Sequence, residues 1–176
     1  KALKEDKDVS SYLPGYDSYQ DAHFFDLNDF FMPLKYAILF QKDLSSMHLV
    51  EEGIEHLVVK AAMQATSVDE LVNLCSSKRY TRVRIQRMLT HILLNNTKEE
   101  VKAAMAIDYI RLLAFNDRGR KLIKMRKGQT DFKLITSINA YDHPALAIER
   151  KAALLLSLVD AAQKEKEYRS IPYHSL

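Results

Sequence analysis

Residues 78–87 read Lys-Arg-Tyr-Thr-Arg-Val-Arg-Ile-Gln-Arg, five fixed cations around one aromatic, within a stretch that has no carboxylate between Glu70 and Glu99. Guanidinium forks and ammonium groups at that density suit phosphate oxygens. Thr81 is a good helix N-cap, and Ile85, Met88, Leu89, Ile92 and Leu93 follow at the spacing of one buried helical face, so the sequence predicts a helix from about Thr81. Its first turn carries Arg82 and Arg84, where the helix dipole favours anions and a capping box would place Glu or Gln at position 84. Cations crowded onto unbonded N–H groups are stabilised when a phosphate sits among them. By helical angle Arg84, Arg87 and His91 form a stripe beside the apolar face. The competing reading is a solvated flank whose arginines pair with carboxylates from the acidic first third of the chain. The broken local rule favours the anion site.

A second cluster comprises Arg111, Arg118, Arg120, Lys121, Lys124, Arg126 and Lys127, opposed there only by Asp117. Residues 1–70 hold 6 Lys/Arg against 13 Asp/Glu, whereas residues 71–176 hold 20 against 10, so the net charge of +3 hides a polarised molecule. Two basic segments in one domain suit a long polyanion better than a single small phosphate. The alternative is two solvated helix faces that never meet.

Other constellations are weaker. Glu51-Glu52-Gly53-Ile54-Glu55 places a glycine, which costs roughly 1 kcal/mol against Ala inside a helix, among three carboxylates. Glu52, Gly53 and Glu55 are either the edge of an active site or a solvated acidic turn on which a neighbouring helix packs. His48, Glu52 and His56 fall on one helical flank but have no fourth ligand in reach, so no metal site is expected. Cys75 shares the apolar pattern of Leu71, Val72 and Leu74 and reads as a buried structural thiol. His143 reads as part of a helix start and His91 as an edge-of-core histidine. Glycine-rich phosphate loops, Gly-x-Ser-x-Gly elbows and cysteine pairs do not occur.

These residues must be positioned by helices. The chain has 176 residues, 47% of them hydrophobic, with only 4 Gly and 4 Pro, enough for one well-buried core. Helices are expected from Asp29 to about Gln41 with Pro33 in the first turn, over residues 47–63, from the capping residue Ser67 to Cys75, from Thr81, from the capping box at Thr97, from Asn116 to about Lys127, and from His143 to about Lys164. Residues 107–115 are ambiguous between helix and strand, and residues 134–137 read as a short strand or turn. The expected fold class is mainly α, a helical bundle with short connections and at most a minor strand element. Apolar runs are too short to span a bilayer, and a single cysteine fits a reducing cytoplasm.

The motif Lys78-Arg79-Tyr80-Thr81-x-x-Arg84-x-x-Arg87, preceded by Glu52-Gly53-x-Glu55 and followed by Arg111-Leu112-Leu113-Ala114-Phe115-Asn116-x-x-Gly119, resembles the C-terminal half of the bacterial tRNA(Met) cytidine acetate ligases, a family of HIGH-type nucleotidyltransferases. The resemblance implies a whole enzyme that activates acetate with ATP and Mg as acetyl-adenylate and transfers the acetyl group to the wobble cytidine of elongator tRNA(Met). That chemistry uses a His-x-Gly-His motif that these residues do not contain. The resemblance therefore implies no catalytic residue and no cofactor in this stretch. Residues 1–28 become a lead-in after an N-terminal nucleotidyltransferase domain, and residues 29–176 a helical C-terminal RNA-binding domain whose partners are tRNA and its own catalytic domain. On this resemblance Arg79, Arg84 and Arg87 clamp tRNA phosphate or reach back to the adenylate, Lys78 adds diffuse attraction, and Tyr80, beside Thr81, packs the loop or stacks on an unpaired base; the second basic cluster adds Arg118, Arg120, Lys121 and Lys124 as expected phosphate-binding residues. Two other classes compete: a helical protein-interaction module that would use an apolar or acidic face, and a DNA-binding domain reading bases with Arg84, Gln86 and Arg87.

Overall fold

The computed structural model describes residues 26–126, 128–161, 168, 169 and 171–174. Most of the lead-in expected over residues 1–28 therefore lies outside the described residues. A 3-10 turn, Leu27–Phe30, is closed by a reciprocal box in which Asp26 accepts from Asn28 N and Asp29 accepts from Asp26 N at 2.6 Å. It leads into α1 (Phe31–Phe40), with Pro33 in the first turn. Then follow α2 (Ile54–Gln64), α3 (Val68–Cys75), α4 (Arg82–Leu93) and α5 (Lys98–Ala104). α1 packs on α2 and α4, and α3 packs on the same two helices. Their shared core includes Ile38, Val58, Leu71, Val72, Ile85, Met88 and Ile92, all buried.

The caps explain where these helices begin. Ser67 Oγ accepts from Glu70 N, while the Glu70 carboxylate turns to the Thr66 amide and hydroxyl at 2.8 and 2.7 Å. At α5 the capping box is complete, with Thr97 and Glu100 each accepting the other's amide. The expected helix over residues 47–63 is shortened: it starts only at Ile54. Leu49, Glu52 and Gly53 adopt left-handed φ angles of 68°, 60° and 79°, so the glycine ends a turn rather than interrupting a helix. That geometry also removes the common helical flank assumed for His48, Glu52 and His56.

The second half corrects the expected mainly α bundle. β1 (Tyr109–Arg111) pairs in parallel with β3 (Lys133–Ile135), and β2 (Ala114–Phe115) pairs in parallel with β4 (Tyr173–His174). Between β2 and β3 runs α6 (Asp117–Arg126), whose start is tied by Gly119 N donating to Asn116 Oδ1 at 2.9 Å. Strand, helix and parallel strand form a βαβ arrangement, so the molecule is a helical layer joined to an α/β unit. The period of two is visible in the burial: Tyr109 and Ile135 point into a second core with Ile138 and Leu146, while Ile110 and Leu134 face outward. Strands of two or three residues give too few alternations to be separated from helix by periodicity.

The last helix, α7 (Pro144–Leu156), is capped by His143. Its Nδ1 accepts from Ala145 N at 3.0 Å, so Nε2 carries the proton that it donates to Ala106 O at 2.9 Å. α7 ends at Leu156, short of the expected Lys164, where the Ser157 hydroxyl donates to Leu154 O. Lys151 joins the two halves, donating to Asn95 O and to Glu100. Among the described residues, no helix is long and apolar enough to cross a membrane.

Candidate functional site

The fold brings together two motifs that lie about thirty residues apart in the chain. The left-handed turn at Glu52 and Gly53 delivers two carboxylates to the loop ahead of α4. The Tyr80 hydroxyl donates to Glu52 Oε2 at 2.9 Å, and the Arg79 guanidinium pairs with the same carboxylate. Arg84 Nη2 donates to Glu51 Oε2 at 3.1 Å, and the guanidinium carbon of Arg84 lies 4.8 Å from the centre of the Tyr80 ring. Arg79 approaches the same ring at 5.9 Å. One aromatic ring thus carries two guanidinium groups, and its hydroxyl anchors the acidic turn.

Electrostatics follows from this geometry. The Tyr80 hydrogen bond, reinforced by Arg79 and Arg84, holds the Glu52 carboxyl below its ordinary range. The same bond pushes the Tyr80 phenol upward. Thr81 caps α4 as expected, its hydroxyl accepting from Arg84 N at 3.4 Å. Arg82 turns to α3, bonding Asn73 and pairing with Asp69.

Arg79, Arg82 and Arg84 therefore pair with carboxylates of the acidic first third of the chain. Glu51 stood in the acidic turn that the sequence marked, whereas Asp69 and Asn73 were not singled out as partners; each pairing joins separate segments, and no local pattern marks it. Lys78 and Arg87 are exposed and have no carboxylate partner among the described residues. Glu55 lies apart from the cluster, beside His56. All three pairs are substantially exposed, so each is worth no more than about 1 kcal/mol.

The second basic cluster lies on α6. Arg118, Arg120, Lys121 and Lys124 are exposed, and none of them pairs with a carboxylate among the described residues. Asp117, the one acid of this helix, faces His174 at 3.2 Å. Arg111 departs from the cluster and pairs with Glu149 at 2.8 Å. Lys127 lies outside the described residues.

Two groups take structural positions. Burial pushes the Cys75 thiol up to about 11, which leaves it protonated and unreactive. His91 packs edge-on against His48 at 4.6 Å; burial, then the neighbouring His48 and Arg87, hold its pKa below the ordinary value.

Comparison with known proteins gives the lineage. The tRNA(Met) cytidine acetate ligase of Bacillus cytotoxicus is 38% identical over 144 residues, covering 78% of this chain and 36% of that protein. The Bacillus subtilis ligase of the same name is 33% identical over 134 residues, covering 73% of this chain and 32% of that protein. Among solved structures, Thermotoga maritima TmcAL in its apo form superposes over 98% of this chain and 48% of that one, with a TM-score of 0.80 at 20% identity. A second form of that protein, bound with alpha-thio ATP, gives a TM-score of 0.77 over the same shares, again at 20% identity. This chain thus spans about a third of the curated relatives' length and about half of the solved one. The HIGH Nucleotidyl Transferase family matches residues 2–170, nearly the whole sequence, and the chain belongs to that family.

Proposed function

We propose that this chain is the RNA-binding part of an ATP-dependent tRNA(Met) cytidine acetate ligase acting in the cytoplasm, and that the start of α4 and the exposed face of α6 hold tRNA phosphates. The observation that carries the reading is the set of α6 cations, Arg118, Arg120, Lys121 and Lys124, which stand in solvent with no carboxylate partner among the described residues. α6 buries no side chain, so those charges do not serve a core. The relatives' name supplies the RNA. Adenylation of acetate by ATP belongs, in this reading, to the length of the longer relatives that this chain does not span; the chain itself contains no His-x-Gly-His motif.

Around α4, Lys78 and Arg87 offer charge directly, and Tyr80 and Thr81 shape the loop that presents it. Arg79 and Arg84 are held by Glu52 and Glu51 in exposed pairs weak enough to exchange for a phosphate, which accepts the guanidinium fork at least as well. Glu52 and Gly53 then form the edge of the RNA site.

A filter-binding titration of the chain with tRNA across salt concentration tests the proposal. Several phosphate contacts displace counterions, so affinity should fall steeply, by roughly ten-fold or more for a few-fold rise in salt. Affinity independent of salt, or no binding at low salt, would contradict it.

A further inference from the structure

Between α6 and the outer face of β1 and β3 lies an open cleft of about 490 Å³, lined among others by Ile110, Leu122, Phe132, Leu134, Arg126 and Thr130. Its volume falls in the range of small-molecule sites, about 300–1,000 Å³. The parallel register sets Ile110 opposite Leu134, and both point away from the second core. These two, with Leu122 and Phe132, are each roughly half exposed: 52%, 45%, 56% and 48%. In a closed βαβ unit the helix would cover such a face, but here helix and strands stand apart.

The occupant must satisfy apolar walls together with cations that have no carboxylate partner among the described residues. An apolar peptide segment would bring Arg126 and its neighbours out of water without compensation. A nucleotide satisfies both, since its base offers a flat, weakly polar face and its phosphate a charge. Phe132 supplies a ring for stacking, and α6 supplies cations along the rim, against which residues 128–135 set only Asp131. Thr130 Oγ1 accepts from Phe132 N at 3.1 Å and keeps its own proton for a base acceptor. We propose that this cleft receives one unpaired nucleobase of the bound RNA, stacked on Phe132, with the flanking phosphates on Arg126 and the neighbouring cations of α6. The inference rests on the RNA-binding reading above and adds a base pocket to it.

The chain has no tryptophan, so Phe132→Trp places a single reporter in the cleft. Titration of that variant with a short oligocytidylate should quench its fluorescence saturably, and an abasic oligomer of equal length should not. Phe132→Ala, checked by thermal melting, should bind the oligocytidylate roughly ten-fold more weakly. Equal quenching by the abasic oligomer would reduce the cleft to phosphate binding and overturn the base pocket. A fluorescence change that follows protein concentration without RNA would make the cleft a contact between copies and overturn it equally. Arg87→Glu separates the two levels of the argument: it should weaken tRNA binding while leaving the oligocytidylate quench in place. Normal tRNA binding without the quench sinks the pocket alone, whereas no tRNA binding by the wild-type chain sinks the RNA reading and the pocket together.

Discussion

Tyr80 links the acidic turn to the basic motif through two different properties, a hydroxyl that donates to Glu52 and a ring that faces Arg79 and Arg84. Because that hydroxyl is the largest influence depressing Glu52, Tyr80→Phe should raise the Glu52 titration midpoint, as read by carboxyl NMR; an unchanged midpoint would discredit the bond. A carboxyl depressed in the folded state adds stability that is present above its unfolded value and lost as pH falls through the folded one, so the variant should also flatten the acid limb of the stability curve. Arg84→Glu would set a second carboxylate against Glu51 and remove the cation from the ring. It should cost about 1 kcal/mol and lower the melting temperature, and an unchanged melt would show that the pair contributes nothing. Cys75 behaves in the opposite sense to Glu52: its thiol is held protonated up to about 11 against an ordinary 9.0. Stability from this group is constant below pH 9.0 and lost as pH rises toward 11, where the unfolded chain ionises first. Native protein should therefore resist thiol reagents until it unfolds, and prompt labelling at neutral pH would contradict the burial.

At the scale of elements, α4 was legible in the sequence because two signals coincide, a capping threonine and a five-position apolar stripe. The structure buries Ile85, Met88, Leu89 and Ile92 as that stripe requires. Asn116 and His143 likewise marked helix starts by side-chain chemistry alone. The strands were half legible: residues 134–137 read as a short strand or turn and residues 107–115 as either helix or strand, while β1 and β3, at three residues each, are decided by partners more than twenty positions away. The cluster around Tyr80 was half legible: both motifs stood out by composition, but their meeting depends on the left-handed turn at residues 52 and 53. Gly53 has a φ of 79° and open space where a Cβ would stand. Gly53→Ala should therefore cost about 1 kcal/mol through backbone strain alone, measured by chemical denaturation, and should loosen the hold of Glu52 on Arg79. A neutral substitution would mean that the turn is not needed to deliver the carboxylates.

Across the whole molecule, charge is sorted by position in the chain, and folding neutralises only part of it. The first-third acids reach the start of α4, where they pair with Arg79, Arg82 and Arg84. Among the described residues none of them pairs with α6, whose cations stand in solvent, so the described fold leaves a basic surface on the α/β half of the molecule. The most direct test compares tRNA binding across salt for the wild-type chain, for Lys121→Glu with Lys124→Glu, and for Lys102→Glu, an exposed charge outside both basic surfaces. If α6 contacts RNA phosphate, the double variant should bind far more weakly and its log–log salt slope should be shallower by about two, while Lys102→Glu stays near wild type. Equal losses in the α6 variant and the Lys102 control would reduce the interface to unspecific net charge and contradict the account.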